Sequence, residues 1–330
     1  TTIDGVLNNV GTLLVSGQLT LDPIKLDVEH HSEGVLSLRG DSAGLTLGES
    51  STLVIGQTGY LGTNGGTGAV VIDGKGSGAS IVIGGYLGIG DTIEATSDGV
   101  NITTGLGSLQ VNGTEEVVIE SGSTIKIDAS FGASSSRSDE LVVSGGILRL
   151  GGGRIEVTSA FSAAGASLAI MTAPSILGSI DTIDGLILTG ADGRSLLDVD
   201  QTGTAIRLTP IADTSVLKEG SSDSALFDFD AAPNLTHYLA GSGNDLIVGL
   251  DIGDTAYGEE GDDSFVLDAL LVQRIDGGAG VDQVFLPDVT TFDFTKDGSD
   301  NVLGTPDDWL GQRFERIELL SMEDATNQTM

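Results

Sequence analysis

The sequence predicts an all-β chain: a right-handed parallel β-helix over residues 1–210, a connector over 211–234, a short β-roll over 235–290 and a C-terminal cap over 291–330. Three observations carry this expectation. Up to about Pro210, strand candidates of three or four residues, apolar at alternate positions, recur between glycines and serines. Fifty glycines against six prolines favour one elongated repeat structure over several ordinary domains. From Ala240 onward, a nine-residue pattern with aspartate at its sixth place repeats without a gap.

The strands come in order. Leu13–Val15, Leu19–Leu21, Val35–Leu38, Leu45–Leu47, Leu53–Ile55, Val70–Ile72 and Ile81–Ile83 are followed by Leu109–Val111, Val117–Ile119, Ile125–Ile127, Leu141–Val143, Ile147–Leu150 and Ile155–Val157. Alternation of apolar with small or polar side chains gives each one buried face, and no helix-length pattern interrupts them. Strands this short are poor material for a sandwich, whose strands average about five or six residues. They suit a coil in which each strand pairs with its equivalent one turn later, so that aliphatic side chains stack as interior ladders. At roughly 20–25 residues per turn, about nine turns and a rod on the order of 45 Å are expected.

An internal echo supports the coil. Leu53-Val-Ile-Gly56 with Gly59-Tyr-Leu-Gly62 returns as Ile81-Val-Ile-Gly84 with Gly85-Tyr-Leu-Gly88. Between them lies Gly68-Ala-Val-Val-Ile-Asp-Gly74-Lys-Gly-Ser-Gly78. This stretch resembles the repeat of autotransporter passengers and related bacterial surface proteins. Gly122 to Leu208 is similar to the last turns of such passengers, although no membrane barrel follows in this sequence.

Residues 211–234 lose the strand rhythm, with Phe227 and Phe229 alternating with aspartates, and read as a connector. The nine-residue windows then begin at Ala240, Gly249 and Gly258, and a fourth begins at Gly277 after one inserted residue. Gly241, Gly243, Gly258, Gly261, Gly278 and Gly280 allow tight turns of positive φ with inward carbonyls, and Asp245, Asp254, Asp263 and Asp282 add a charged oxygen. Carbonyl and carboxylate oxygens from successive copies, offered to one hard cation, suit Ca²⁺. These windows resemble the GGxGxDxUx nonapeptide of RTX (repeats-in-toxin) proteins, with Ala240 at one first place, no glycine at places two and four of the second window, and Glu259 at place two of the third. The resemblance implies a calcium-bound parallel β-roll, type I secretion, and these ten residues as the metal site. Phe314 to Leu320 is similar to the closing strand of such rolls and reads as a cap. Asp297, Asp300, Asp307 and Asp308 form a loop that is either a further calcium site or a solvated acidic loop.

Composition narrows the function. Fourteen basic against 48 acidic side chains leave a net charge of −34, which repels nucleic acid and anionic membranes and attracts divalent cations. Without cysteine there is neither a disulfide framework nor thiol chemistry. No apolar run approaches the ~18–20 residues that span a bilayer, so membrane insertion is not expected. Thr1 opens the sequence without a signal peptide, which leaves open a processed chain, a C-terminal export signal or a piece of a longer protein. The adjacent His30 and His31 point to opposite faces of a strand, with His237 remote. Asp22, Asp73, Asp91, Lys75, Arg149 and Arg154 form no recognisable catalytic cluster, and no catalytic residue is assigned.

The resulting expectation is an extracellular, bacterial cell-surface structural or adhesive protein. Its acidic C-terminal part folds on Ca²⁺, and it associates as a homo-oligomer or polymer in a fibre, sheath or surface layer. Cell-surface or extracellular polysaccharide is a further candidate partner. Two other classes stay open: a polysaccharide-modifying β-helix enzyme (lyase or epimerase), and a carbohydrate-binding adhesin module, for which four tyrosines and one tryptophan are thin material.

Overall fold

The computed structural model describes residues 2–4, 8–9, 12–15, 18–22, 28–40, 43–64, 68–75, 77–96, 99–132, 136–161, 166–190, 193–211, 217–220, 222–231, 236–251, 254–268, 274–286 and 314–321. These residues are all-β, with no helix, and most strands pair in parallel. The chain divides into two compact units, one ending at Pro210 and the other beginning at Ile211.

In the first unit the chain visits three sheets in rotation. Gly44–Leu47, Ser51–Ile55 and Tyr60–Asn64 go to successive sheets, and the next three strands, Val70–Gly74, Ser80–Ile83 and Tyr86–Ile89, each pair in parallel with their predecessor on the same sheet. Every strand expected from the alternation lies within an observed strand. The echo has a direct structural meaning: Leu53 pairs with Ile81 and Tyr60 with Tyr86, so the repeated words are neighbours in adjacent turns.

In-register pairing converts alternation into ladders. One runs Leu36, Leu61, Leu87, Ile125, Ile155, Ile183, and another Leu53, Ile81, Val117, Leu148, Ile176. All of these side chains are buried. At about 25 cal/mol per Å² of apolar surface removed from water, such ladders are the dominant favourable term of this unit. At one corner backbone packs directly on backbone. A Cβ on Gly85 would overlap the carbonyl oxygens of Gly56 and Gly59, which is why glycine recurs there.

The path makes seven passes through the second sheet, fewer than the nine turns expected. Three strands per turn and excursions between them lengthen each turn. The largest described excursion is the antiparallel hairpin Thr92–Thr96 with Gly99–Thr103. On the first sheet the pairing turns antiparallel after Leu168–Thr172: Ala205–Ile211 pairs with that strand, and Gly193–Gln201 pairs with Ile187–Gly190, while Ile176–Ser179 and Thr182–Asp184 still pair in parallel on the other two sheets.

The second unit deals its strands alternately to two five-stranded parallel sheets. The residues expected to be a connector already belong to it. Leu217–Glu219 pairs with His237–Ser242, and Leu226–Asp228 pairs with Leu246–Leu250. The expected cap likewise extends both sheets: Phe314–Glu315 adds to Arg274–Ala279, and Leu319–Ser321 adds to Gln283–Phe285. Both sheets feed one core. Phe227, Ile247, Phe265 and Val284 stack in register from one sheet and meet Tyr238, Ala256 and Ile275 from the other. The buried apolar eighth place of each nine-residue window is therefore this core. The ion pair Arg274–Glu315, 2.5 Å apart and almost wholly buried, and a bidentate Arg316–Asp276 pair fasten the last turn. Asp297, Asp300, Asp307 and Asp308 lie outside the described residues.

Candidate metal centre

The turns leading from the first to the second sheet of this unit stack directly. Flanking strands pair 18 residues apart between the first and third windows and 19 apart between the third and fourth. The inserted residue falls between Leu267 and Arg274, and the third and fourth windows then pair at a constant offset on both sheets. Gly243, Gly261 and Gly280 adopt φ of 109°, 136° and 152°, and a Cβ on Gly261 would overlap the carbonyl oxygen of Gly243, as one on Gly280 would that of Gly261. Only glycine permits this backbone-on-backbone stacking. A Cβ on Gly258 would overlap Asp263 Oδ2, so the first-place glycine makes room for the carboxylate. Gly241 and Gly278 take φ of 106° and 94°; Glu259, at the same place, is forced to 76°.

On this edge the structure brings together Asp245, Asp263 and Asp282. Each Oδ1 accepts a hydrogen bond from the backbone of the preceding copy: Ala225 N–H donates to Asp245 at 2.7 Å, Asp245 N–H to Asp263 at 2.7 Å, and Asp263 N–H to Asp282 at 2.8 Å. The ladder ends at Glu318, whose Oε2 accepts from Asp282 N–H at 2.8 Å. The three aspartates are 3%, 1% and 0% exposed, and the second oxygen, Oδ2, of each is buried without a hydrogen-bond donor. Burial raises all three pKa values. Asp263 reaches about 6, with Asp282 and Asp245 on either side adding to burial and the Asp245 amide opposing it. A buried carboxylate oxygen that no donor reaches is costly unless a cation satisfies it.

Asp254 stands apart. Successive windows fall on opposite edges, because nine residues cover half of this two-strand turn, and Asp254 lies on the edge that leads back to the first sheet. Its Oδ2 accepts from Asp251 N–H at 2.8 Å, and burial raises its pKa. Asp228, Asp230, Asp251 and Asp268 share that edge. Asp268 is pushed up by burial first and then by the charges of Asp230, Asp251 and Asp228, and it shares a hydrogen bond with Asp230.

Sequence reading missed Glu318 and this second group. Glu318 follows a turn three residues shorter than its predecessor, since Asp276 to Gln283 spans seven steps and the equivalent Glu315 to Leu319 spans four. Asp228, Asp230 and Asp268 sit in turns without the glycine pattern. Their only signal was the alternation of aspartate with Phe227 and Phe229.

Among the described residues, no three His, Asp or Glu side chains converge on one point. The ladder offers one carboxylate per copy, so any cation held there would draw its remaining oxygens from the backbone of the glycine turns. What the arrangement can do chemically is present stacked, donor-starved carboxylate oxygens in a low-dielectric edge, which suits an oxygen-seeking cation better than proton transfer to a substrate.

The other candidates do not gather into one site. His30 is wholly buried, His31 is half-buried on the opposite face, and His237 belongs to the other unit. Asp73 pairs with Lys75 at 3.5 Å, Arg149 with Glu116 at 2.7 Å, and Arg154 with Glu156 at 3.2 Å and Asp184 at 2.5 Å. Of Asp22 only the backbone is described. No protein-family model matches this chain, and no curated protein does.

Proposed function

We propose that this chain is a secreted bacterial structural or adhesive surface protein: a right-handed parallel β-helix joined to a short RTX-type β-roll whose folding depends on Ca²⁺, with self-assembly into a fibre, sheath or surface layer. The observation that carries the reading is the in-register stack of Asp245, Asp263 and Asp282, each with one buried oxygen that no hydrogen bond reaches. Asp254, with its neighbours on the other edge, extends the same logic to a second row.

Calcium, when bound, supplies the positive charge that these turns lack. The chain's own residues do the rest. Gly243, Gly261 and Gly280 bring the backbones close, Gly258 clears space for the Asp263 carboxylate, and the amides of Ala225, Asp245 and Asp263 fix the orientation of each side chain through Oδ1. Without a cation, like charges accumulate along each edge and oppose closure of the turns. This couples binding to folding, as in other small metal-dependent domains, and keeps the acidic C-terminal part of a chain of net charge −34 extended where calcium is scarce.

The test uses the full chain. Circular dichroism and light scattering are followed while millimolar Ca²⁺ is added and then removed with a chelator. Gain of β signal and growth of reversible assemblies are expected; identical spectra in EGTA and in excess Ca²⁺ would sink the calcium reading, and ordered monomers in calcium would sink assembly alone.

A further inference from the structure

The first unit contains a buried polar cluster that the proposed function does not use. Asp91 follows the strand Tyr86–Ile89, Lys126 and Asp128 lie two residues apart on Thr124–Phe131, and Asp139 precedes Glu140–Val143. Over them sits the excursion that contains the 92–103 hairpin. Ile93, wholly buried, closes it against Gly62, and the Asp91 carboxylate packs on Gly88, where a Cβ would stand 2.6 Å from Oδ2. Asp91 Oδ1 accepts from Gly105 N–H at 3.3 Å, and Asp139 accepts from Gly107 N–H and Asp128 N–H at 2.6 Å each. Both ends of the excursion are thus drawn onto this cluster.

One ammonium serves these acids, and it serves them poorly. Lys126 Nζ stands 3.8 Å from Asp91 Oδ2 and 3.2 Å from Asp128 Oδ1. Nζ, Asp91 Oδ2 and Asp128 Oδ1 are all buried without a hydrogen-bond partner. The Asp91 side chain is 1% exposed and that of Lys126 12%. Burial lifts Asp91 to about 6 and Asp139 to about 8, so the surroundings disfavour charge. A buried ion pair without satisfying hydrogen bonds costs more in desolvation than attraction returns.

We propose that Lys126 and Asp91 condense to an intramolecular isopeptide bond that staples the excursion to the sheet beneath it. The ammonium passes a proton to the Asp91 carboxylate, and the Nζ lone pair attacks Cγ. The C–N bond forms, the Cγ–O bond breaks, and the departing oxygen leaves as water with protons drawn from Nζ and the carboxylic acid. Ammonium and carboxylate become amide and water, with no oxidant or co-reactant required. The fold holds the two groups at one place, which supplies the effective concentration such a reaction needs, and two buried charges become one neutral amide. Asp128, on the same strand as Lys126 and 14% exposed, serves as the polar neighbour, since linkage to it would join a strand to itself and leave the Asp91 oxygen orphaned. The chain contains no cysteine, so it holds no disulfide that could staple it.

This inference is independent of calcium, and its test is the intact mass of the soluble, folded full chain under denaturing conditions. A mass one water (about 18 Da) below that of the sequence is expected. Because no Lys or Arg lies between Lys75 and Lys126, trypsin should release a single fragment of residues 76–137, uncut after Lys126, that carries the whole deficit and whose fragmentation spectrum lacks backbone ions between Asp91 and Lys126. Lys126→Arg and Asp91→Ala should each show the full mass of their own sequence, and Asp91→Asn should form the same link with loss of ammonia in place of water. The full sequence mass in the folded wild-type chain, or a link to Asp128, overturns the proposal without reliance on any variant.

Discussion

The two units use one device, parallel in-register stacking, on opposite materials. In the first, stacking places Leu36 over Leu61 over Leu87 over Ile125, and each added layer gains contact. In the second, it places Asp245 over Asp263 over Asp282 in the turns, and each added layer gains a like charge. Repetition is self-reinforcing for apolar ladders and self-opposing for anionic ones. The second unit also has two strands per turn against three, hence a thinner core, of which two of the largest members are Phe227 and Phe265. It has less apolar burial with which to offset more repulsion, and under the proposed reading that imbalance makes it the part whose stability a cation would control.

The largest effect should separate the units outright. Hydrogen exchange in EGTA is expected to lose protection in the described strands of the second unit, Leu217–Glu219 to Leu319–Ser321, while those from Gly44–Leu47 to Thr182–Asp184 stay protected. At a hundredfold excess of calcium over its Kd, each occupied site contributes about 3 kcal/mol. Uniform exchange in EGTA and calcium would erase the distinction. A matched pair of substitutions sharpens it. Leu87→Ala removes one rung of an apolar ladder and should cost about 2–5 kcal/mol in calorimetry, equally with and without calcium. Asp263→Ala leaves the Asp245 amide without its acceptor and should cost about 1–3 kcal/mol in calcium and much less in EGTA. Equal costs in both media for Asp263→Ala would make the ladder a purely structural cap.

Acid gives the next test, and its sign differs between media. Asp263 is raised from 3.8 to about 6 in the folded chain by burial and by Asp282 and Asp245, so its protonated form fits the metal-free fold better than its ionised form. The corresponding stability is fully present below about pH 4 and is lost as pH rises through about 6, an effect of about 2–3 kcal/mol. Asp245 and Asp282 shift in the same direction. In EGTA, acidification from pH 7 to 5 should therefore raise the thermal midpoint of the second unit. In calcium it should lower it, as protons compete for the same oxygens. A midpoint in EGTA that falls on acidification would contradict the buried-carboxylate account.

What sequence could reveal follows from which physics is local. Alternation over three residues marks a strand whatever its partners, so Leu53–Ile55 and Ile81–Ile83 were legible, and their echo even gave the register. The glycine-to-aspartate spacing from Ala240 marked the turns because positive φ and a side-chain acceptor are requirements of the turn itself. Other features depend on what lies across space. The hairpin Thr92–Thr103 is an insertion that leaves the strands around it unchanged. Leu217–Glu219 and Leu226–Asp228 looked like a connector because their first turn carries Gly220 and Ser224 in place of the full pattern. Successive aspartates were expected to meet, but two strands per turn send Asp254 to the far edge and bring Asp228 and Asp268 there from turns with no motif. The Asp91–Lys126 approach joins residues that belong to no pattern at all, and only folding places them together.

The smallest expected effect tests whether the second unit still carries an imperfection in its turn chemistry. Glu259 occupies a place where Gly241 and Gly278 adopt φ of 106° and 94°, and it is held at 76°, a left-handed conformation in which the Cβ of an ordinary residue crowds its own backbone. Stacking leaves it no choice: Glu259 pairs with Gly241 on one side and Gly278 on the other, and a Cβ on Gly278 would overlap the Glu259 carbonyl oxygen. Glu259→Gly removes this strain and one negative charge from an acidic edge, against a small loss from the greater freedom of glycine in the unfolded chain. A net gain of about 1 kcal/mol is expected in calcium. The strain relief persists in EGTA, where removing a charge helps further because like charges are then uncompensated, so the gain should be larger there. A destabilised variant in both media would mean that the Glu259 side chain makes contacts worth more than the strain it imposes, and that the turn is better fitted to glutamate than its backbone angle implies.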